Sequence, residues 1–316
     1  MNKLLLITLI GCLIYSANAI GASVAYIHGR VADNGTVLEE GVGEPFDQML
    51  ITDSGRTGLS RFRQLVESQG HSINQFRDTS TNLDAAFLDD YDVVIFGLHQ
   101  KIWSPAEKAA LDTWIQAGGG MFIYSDSASG GSFRLVPGRA QNTVGQTVTN
   151  NLIAQYGMQV TVDQADGVTA QLANSGTSIS SIDALTLEGE GVSPIAVAEN
   201  DPDVEVLVPY QRNQTPLIRH TQNISIVNPV YASLVLRPVG QGHIVAMFDR
   251  QPMWNDGPGS DIEEEDNTVV LREIVNFLAL RPDIEGPSNP APTPTPRPRN
   301  REATISPLLP LLLDDD

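Results

Sequence analysis

The chain has 316 residues, in which 38 Asp and Glu stand against 19 Lys and Arg, a formal charge of −19. Such a field repels phosphate backbones and anionic lipid surfaces, which argues against a nucleic-acid binder. With 41% hydrophobic residues the sequence has the material for a buried core, in one large domain or two small ones.

Taken in chain order, the first feature is an export signal over residues 1–19. Lys3 supplies a positive end, Leu4 to Tyr15 an apolar stretch, and Ala17-Asn18-Ala19 a small-x-small cleavage pattern. The stretch is too short for a membrane span, which needs about 20 apolar residues. Leu9-Ile10-Gly11-Cys12 resembles a lipobox, so a lipoprotein anchored through Cys12 is the alternative to a free periplasmic or extracellular protein. Cys12 is the only cysteine, so cleavage after Ala19 leaves no disulfide, thiolate metal site or Cys nucleophile.

From Val24 onward the pattern is α/β. Val24 to Ile27 reads as a first strand ending at His28-Gly29, followed by a Gly- and acid-rich loop over Asp33 to Ser54. Leu59, Phe62, Leu65 and Val66 fall at helical spacing with Gly70 as a C-terminal cap. Ser72 to Phe76 suits a second strand. Asp92 to Gly97 is a continuous apolar run of the kind found in parallel strands covered on both faces. Ser104-Pro105-Ala106-Glu107 combines an N-cap hydroxyl, a first-turn proline and a capping-box glutamate, and it opens a helix that Gly118-Gly119-Gly120 ends. Met121 to Tyr124 is the fourth strand, running into Ser125-Asp126-Ser127.

Val148, Leu152, Ile153 and Tyr156 predict one more helix, and short strand-like runs follow in a β-rich insertion at about residues 158–239. His243 to Phe248 is a late core strand ending at Asp249-Arg250. Val270, Ile274, Phe277 and Leu278 mark a final helix. Residues 20–283 thus form an α/β domain, a flavodoxin-like three-layer sandwich with a mainly parallel sheet and a β-rich extension. Residues 284–316 read as a Pro-rich linker and a disordered Leu-rich tail, which suits a docking peptide for a cell-envelope partner.

In open α/β sheets, ligands sit beyond the carboxyl ends of the strands. Those ends deliver His28, His99, Ser125, Asp126, Asp249 and Arg250. For catalysis the candidates are Ser125, Asp126 and His99; for ligand binding they are His28, Asp249, Arg250, Trp254 and Asn255. A serine nucleophile needs a base and an oxyanion hole, and the run around Ser125 lacks the Gly-x-Ser-x-Gly elbow. Six carboxylates surround Gly257-Pro258-Gly259-Ser260, which brings calcium into consideration as a cofactor at Asp256 and Asp261. The alternative is that these acids serve the following helix, with Asp266 or Asn267 as its N-cap. His71 and His220 stand isolated in sequence, and His243 enters a strand and reads as structural. Trp254 reads as a core-packing residue or a sugar-stacking platform.

The run Val24 to Asp126, with Asp92 to Gly97, Ser104-Pro105-Ala106-Glu107 and Gly119 to Tyr124, resembles the class I glutamine amidotransferase-like fold. With Gly240 to Ala246, Asp249-Arg250, Trp254 to Gly257 and Asp266-Asn267, it is similar to the degenerate branch that includes ThuA-like proteins. That family places a nucleophilic cysteine after the strand matching Met121 to Tyr124, and here Ser125 or Asp126 stands there. The resemblance therefore implies a scaffold without the usual covalent glutamine chemistry. The resulting expectation is a secreted, non-catalytic ligand-binding or accessory domain for a small molecule or a carbohydrate. The alternatives are a hydrolase using Ser125 or Asp126, and an envelope interaction protein.

Overall fold

A computed structural model describes residues 21–29, 50–97, 99, 101–124, 144–161, 169–189, 193–210, 225–257 and 259–280. The export signal with Cys12, the turn carrying Ser125 and Asp126, His220 and the linker with its tail lie outside the described residues. All described residues belong to one unit, Met1–Pro282.

The strands Ser23–His28 (β1), Ser72–Arg77 (β2), Val93–Gly97 (β3) and Gly120–Tyr124 (β4) appear where the apolar runs predict them. The late strand Gly242–Met247 (β11) completes a parallel set in the order β2-β1-β3-β4-β11, the flavodoxin-like arrangement. The buried, unalternating runs of β1, β3, β4 and β11 follow from having helices on both faces, while β2 lies at the edge with Ile73 as its buried residue. Ser60–Ser68 (α1) packs on one face. The single turn Ala85–Leu88 (α2) and Pro105–Gln116 (α3) lie on the other, with Val144–Ile153 (α4) beside them, and Asn267–Ala279 (α5) returns to the face of α1. The predicted capping box of α3 is present: Ser104 Oγ accepts from the Glu107 amide, and the Glu107 carboxylate accepts from the Ser104 amide.

The β-rich stretch largely joins the same sheet. Among the described residues the sheet has nine strands, and Pro229–Val239 (β10) turns its direction by pairing antiparallel with β11. Met158–Val160 (β5), Ile195–Ala198 (β8) and Glu205–Pro209 (β9) attach beyond it. Ala232 pairs with both Ile195 and Pro209, so β8 and β9 occupy opposite edges of β10. Since β9 overlaps the stretch of β10 that β11 uses, β8 shares the edge of β11 and begins where β11 stops. The extension thus stands as a wall above the carboxyl ends of the parallel strands. A separate hairpin, Thr169–Leu172 (β6) and Thr186–Gly189 (β7), was not foreseen from the sequence, because neither run is apolar enough to mark a strand.

Candidate functional site

The strand order reverses between β1 and β3, so their carboxyl ends mark the crevice where this architecture binds ligands. Side chains alternate along β1, and this period puts Tyr26 and His28 on the α1 and α5 face, their rings stacked at 6.2 Å. Burial, then the nearby Arg77 charge, lowers the His28 pKa to about 4, so its imidazole is neutral at pH 7. Across β3, the hydroxyls of Tyr26 and Tyr124 meet at 2.8 Å. Gly97 lies between them, and a Cβ there would stand 2.4 Å and 2.5 Å from the two oxygens. Burial holds both phenols well above their ordinary pKa, so this pair is neutral as well.

His99 does not join His28. It packs edge-on against Phe96 at 5.3 Å and beside Trp103, on the α3 face. The expected convergence of the two imidazoles therefore fails: the ends of neighbouring strands share a rim, but their side chains leave it on opposite faces. Burial lowers the His99 pKa to about 3; the Val148 backbone offsets part of this without closing a hydrogen bond of normal geometry.

Asp249 and Arg250 end β11 as expected, both buried. One Asp249 carboxylate oxygen accepts from the amides of Arg250, at 2.6 Å, and Gln251, at 3.3 Å, and so opens the 3-10 turn Gln251–Met253. The other oxygen faces Gly189 of the hairpin. The Arg250 guanidinium lies 5.0 Å above the ring of Trp254, and its charge draws the Tyr124 phenol partly back toward its ordinary pKa. Trp254 is 5% exposed, and Gly257 packs against its ring. No ring face is open for a sugar, so packing is the role that remains. Asn255 is occupied too: its carbonyl accepts from the Arg61 amide at 2.8 Å, and its amide donates to the carbonyls of Asp53 and Gly55. It clamps the start of α1.

The acidic loop has a structural explanation that differs from simple helix capping. Asp266 precedes α5 but makes no side-chain cap; its carboxylate accepts instead from the Thr186 amide at 2.9 Å. Asn267 accepts from the Glu188 amide and donates to the carbonyls of Glu188 and Asp261. The two side chains thus satisfy the edge of β7, which would otherwise lie buried without partners. Asp256 is largely exposed, 4.0 Å from Arg56, while the Asp261 carboxylate accepts from the Glu263 amide at 2.7 Å. Among the described residues no three His, Cys, Asp or Glu are grouped to hold a metal ion. His71 is not isolated: its Nδ1 accepts from the Ala22 amide, and its Nε2 pairs with Asn276. His243 is structural, set edge-on to Phe277.

A different set of residues marks the rim. His99 (both nitrogens), Trp103 Nε1, Ser193 Oγ, Ser233 Oγ and Gln251 Oε1 are buried and have no hydrogen-bond partner among the described residues. Buried polar groups are nearly always paired, so such a group asks for an explanation. All five residues lie at one edge. His99 and Trp103 follow β3, and Gln251 follows β11. Ser233 is level with Phe248 through the Phe248 amide, and Ser193 leads into β8. They flank the end of β4 on both sides. Ser233 carried a signal, as the polar residue in the apolar run Ala232 to Leu236. Nothing in the sequence marks Ser193, Trp103 or Gln251, because only the sheet order brings them together.

No family model and no curated protein matches the chain. Solved structures do match in fold. One described as "mmIFT52 N-terminal domain" has a TM-score of 0.51 and 12% identity, covering 81% of this chain and 97% of that one. A ThuA-like protein from Bacteroides uniformis ATCC 8492 has a TM-score of 0.49 and 13% identity, covering 83% and 95%. Another, from Parabacteroides merdae ATCC 43184, has a TM-score of 0.41 and 10% identity, covering 82% and 90%. ThuA-like proteins are thus among the structural neighbours, and at these identities the likeness is one of fold.

Proposed function

We propose that the protein is an exported binding module that takes a neutral, hydroxyl-rich small molecule, of the carbohydrate class, at the carboxyl-terminal rim of its parallel strands. The observation that carries this is the set of unpaired buried groups around the end of β4. Its members are uncharged and mixed: a neutral imidazole, an indole N–H, two hydroxyls and an amide oxygen. An anion would call for donors alone, whereas sugar hydroxyls both donate and accept. The export part rests on residues 1–19 alone.

The test is a thermal-shift screen of the full chain against mono- and disaccharides, together with ester, amide and glycoside substrates. A ligand that binds only the native form raises the melting temperature. Ser193→Ala, Ser233→Ala and Gln251→Leu should keep or raise the unliganded melting temperature, since each removes an unpaired polar group. They should abolish the sugar-induced shift. A panel without any shift would end the sugar reading. Turnover that disappears in both Ser125→Ala and Asp126→Asn would replace the binding module with the hydrolase.

A further inference from the structure

At the carboxyl end of β2, on the α1 and α5 face, one arginine has no counter-ion among the described residues. The chain carries 38 Asp and Glu against 19 Lys and Arg, and Arg56, Arg61, Arg63, Arg237 and Arg272 each pair with a carboxylate. Arg250 lies over the ring of Trp254. Arg77, the last residue of β2, is half-buried, yet among the described residues it makes no ion pair and its guanidinium no hydrogen bond. Asp78, the nearest acid along the chain, turns to another partner: one of its oxygens accepts from the Lys101 amide at 2.8 Å.

The register of β1 and β2 puts further donors beside this charge. Arg77 lies opposite His28, and Gln75 opposite Tyr26. Ile73 packs in the core of the α1 and α5 face and Phe76 against the other, so alternation turns Gln75 and Arg77 to the face of His28. The Gln75 carbonyl accepts from the Ile51 amide at 2.8 Å, which fixes the side chain and leaves its NH2, a donor only, without an acceptor among the described residues. The His28 imidazole is neutral at pH 7 and keeps one N–H to donate; it makes no hydrogen bond among the described residues. These groups differ from the rim around β4, where hydroxyls and an amide oxygen are mixed with donors. They are also apart from it: Arg77 is three strands from β4, about 14 Å at the usual strand spacing.

We infer that Arg77, with Gln75 and His28, holds the carboxylate of a small monocarboxylic acid beside the crevice at the ends of β1 and β3. The guanidinium forks both carboxylate oxygens, and the amide and imidazole N–H groups take the remaining lone pairs. An acid excess that satisfies the other ion-pairing arginines and leaves this one bare at a ligand crevice points to a counter-ion that arrives with the ligand. A phosphate is the poorer occupant. It brings nearly two negative charges at neutral pH, and a single guanidinium offsets one of them inside an acidic field. The site goes beyond the sugar reading and does not depend on it.

The test uses the full chain with sodium pyruvate or sodium acetate, sodium chloride holding the ionic strength constant. Proton–nitrogen NMR reads the Arg77 Nε–H and the Gln75 NH2. Both carboxylates should shift these signals along a saturable curve, and chloride alone should not. Arg77→Gln should abolish saturation at the Gln75 signal while the melting temperature stays that of the parent, since the fold loses no ion pair. Arg77→Lys keeps the charge but loses the fork, and should weaken binding about tenfold. Arg63→Gln removes an equal charge from an exposed pair on α1 and should leave affinity nearly unchanged. Saturation that survives Arg77→Gln, or equal losses in Arg77→Gln and Arg63→Gln, would overturn the proposal. So would a parent chain whose signals ignore both carboxylates, or one that binds inorganic phosphate more tightly than pyruvate. Gln251→Leu at the rim should leave the pyruvate response intact, and Arg77→Gln should leave the sugar-induced shift, so failure of the sugar site and failure of this one are separable.

Discussion

At Gly97 the absence of a side chain decides what its neighbours on β1 and β4 can do. The Tyr26 and Tyr124 hydroxyls close their bond through the space a Cβ would fill. Gly97→Ala should therefore cost about 1–3 kcal/mol, the usual range for overpacking a filled core. Urea unfolding measures it, and an unchanged midpoint would refute the contact. The two buried imidazoles give a second expectation. The unfolded chain takes up protons near pH 6.5, while native His28 and His99 resist until about pH 4 and pH 3. Native stability is then unaffected by these groups above that range and falls as the pH drops through it. The slope is up to about 1.4 kcal/mol per pH unit for each histidine. His99→Gln should flatten the fall in melting temperature between neutral and mildly acidic pH; an unaltered slope would mean that His99 is already charged in the fold.

Among the elements, α3 and α5 start in different ways although both carry strong sequence signals. The Ser104 and Glu107 side chains bond within their own helix end, so local sequence suffices to define it. Ser104→Ala should destabilise by about 1 kcal/mol, measurable in the same unfolding experiment. At α5 the residues of N-cap type turn outward to the β6–β7 hairpin, because Thr186 and Glu188 offer backbone groups that have no strand beside them among the described residues. Asn267→Ala strips four side-chain hydrogen bonds at once, two of them buried, and should cost about 2–4 kcal/mol. Faster hydrogen exchange at the Glu188 amide would distinguish loss of hairpin docking from simple helix fraying. The same hairpin explains why the acidic loop reads ambiguously in sequence: the Asp266 carboxylate serves the Thr186 amide, 80 residues away, rather than its own helix.

For the molecule as a whole, the parallel half was legible. Continuous apolar runs, a capping box and well-placed glycines place β1 to β4, α1 and α3 closely, because each depends on hydrophobic period and local turn chemistry. The extension was legible as strands but not as architecture. Short runs such as Ile195 to Ala198 say nothing about which edge they join, and it is the double pairing of Ala232 that sets β8 above β11. The candidate site divides in the same way. His28, Asp249 and Arg250 stand at the strand ends because strand ends can be read from the chain. Trp254 and Asn255 turned out to be consumed by packing and clamping, which only the closeness of Gly257, Asp53 and Gly55 reveals.

By itself the sequence determined the acidic field, the α/β alternation and the positions of the core strands, since charge and periodicity are properties of neighbouring residues. The tertiary structure decided which polar side chains share a place. It separated His28 from His99, and it grouped Ser193, Ser233 and Gln251 at one rim. These meetings depend on strand order and on the face each side chain takes, and contacts between residues so far apart along the chain leave no local trace.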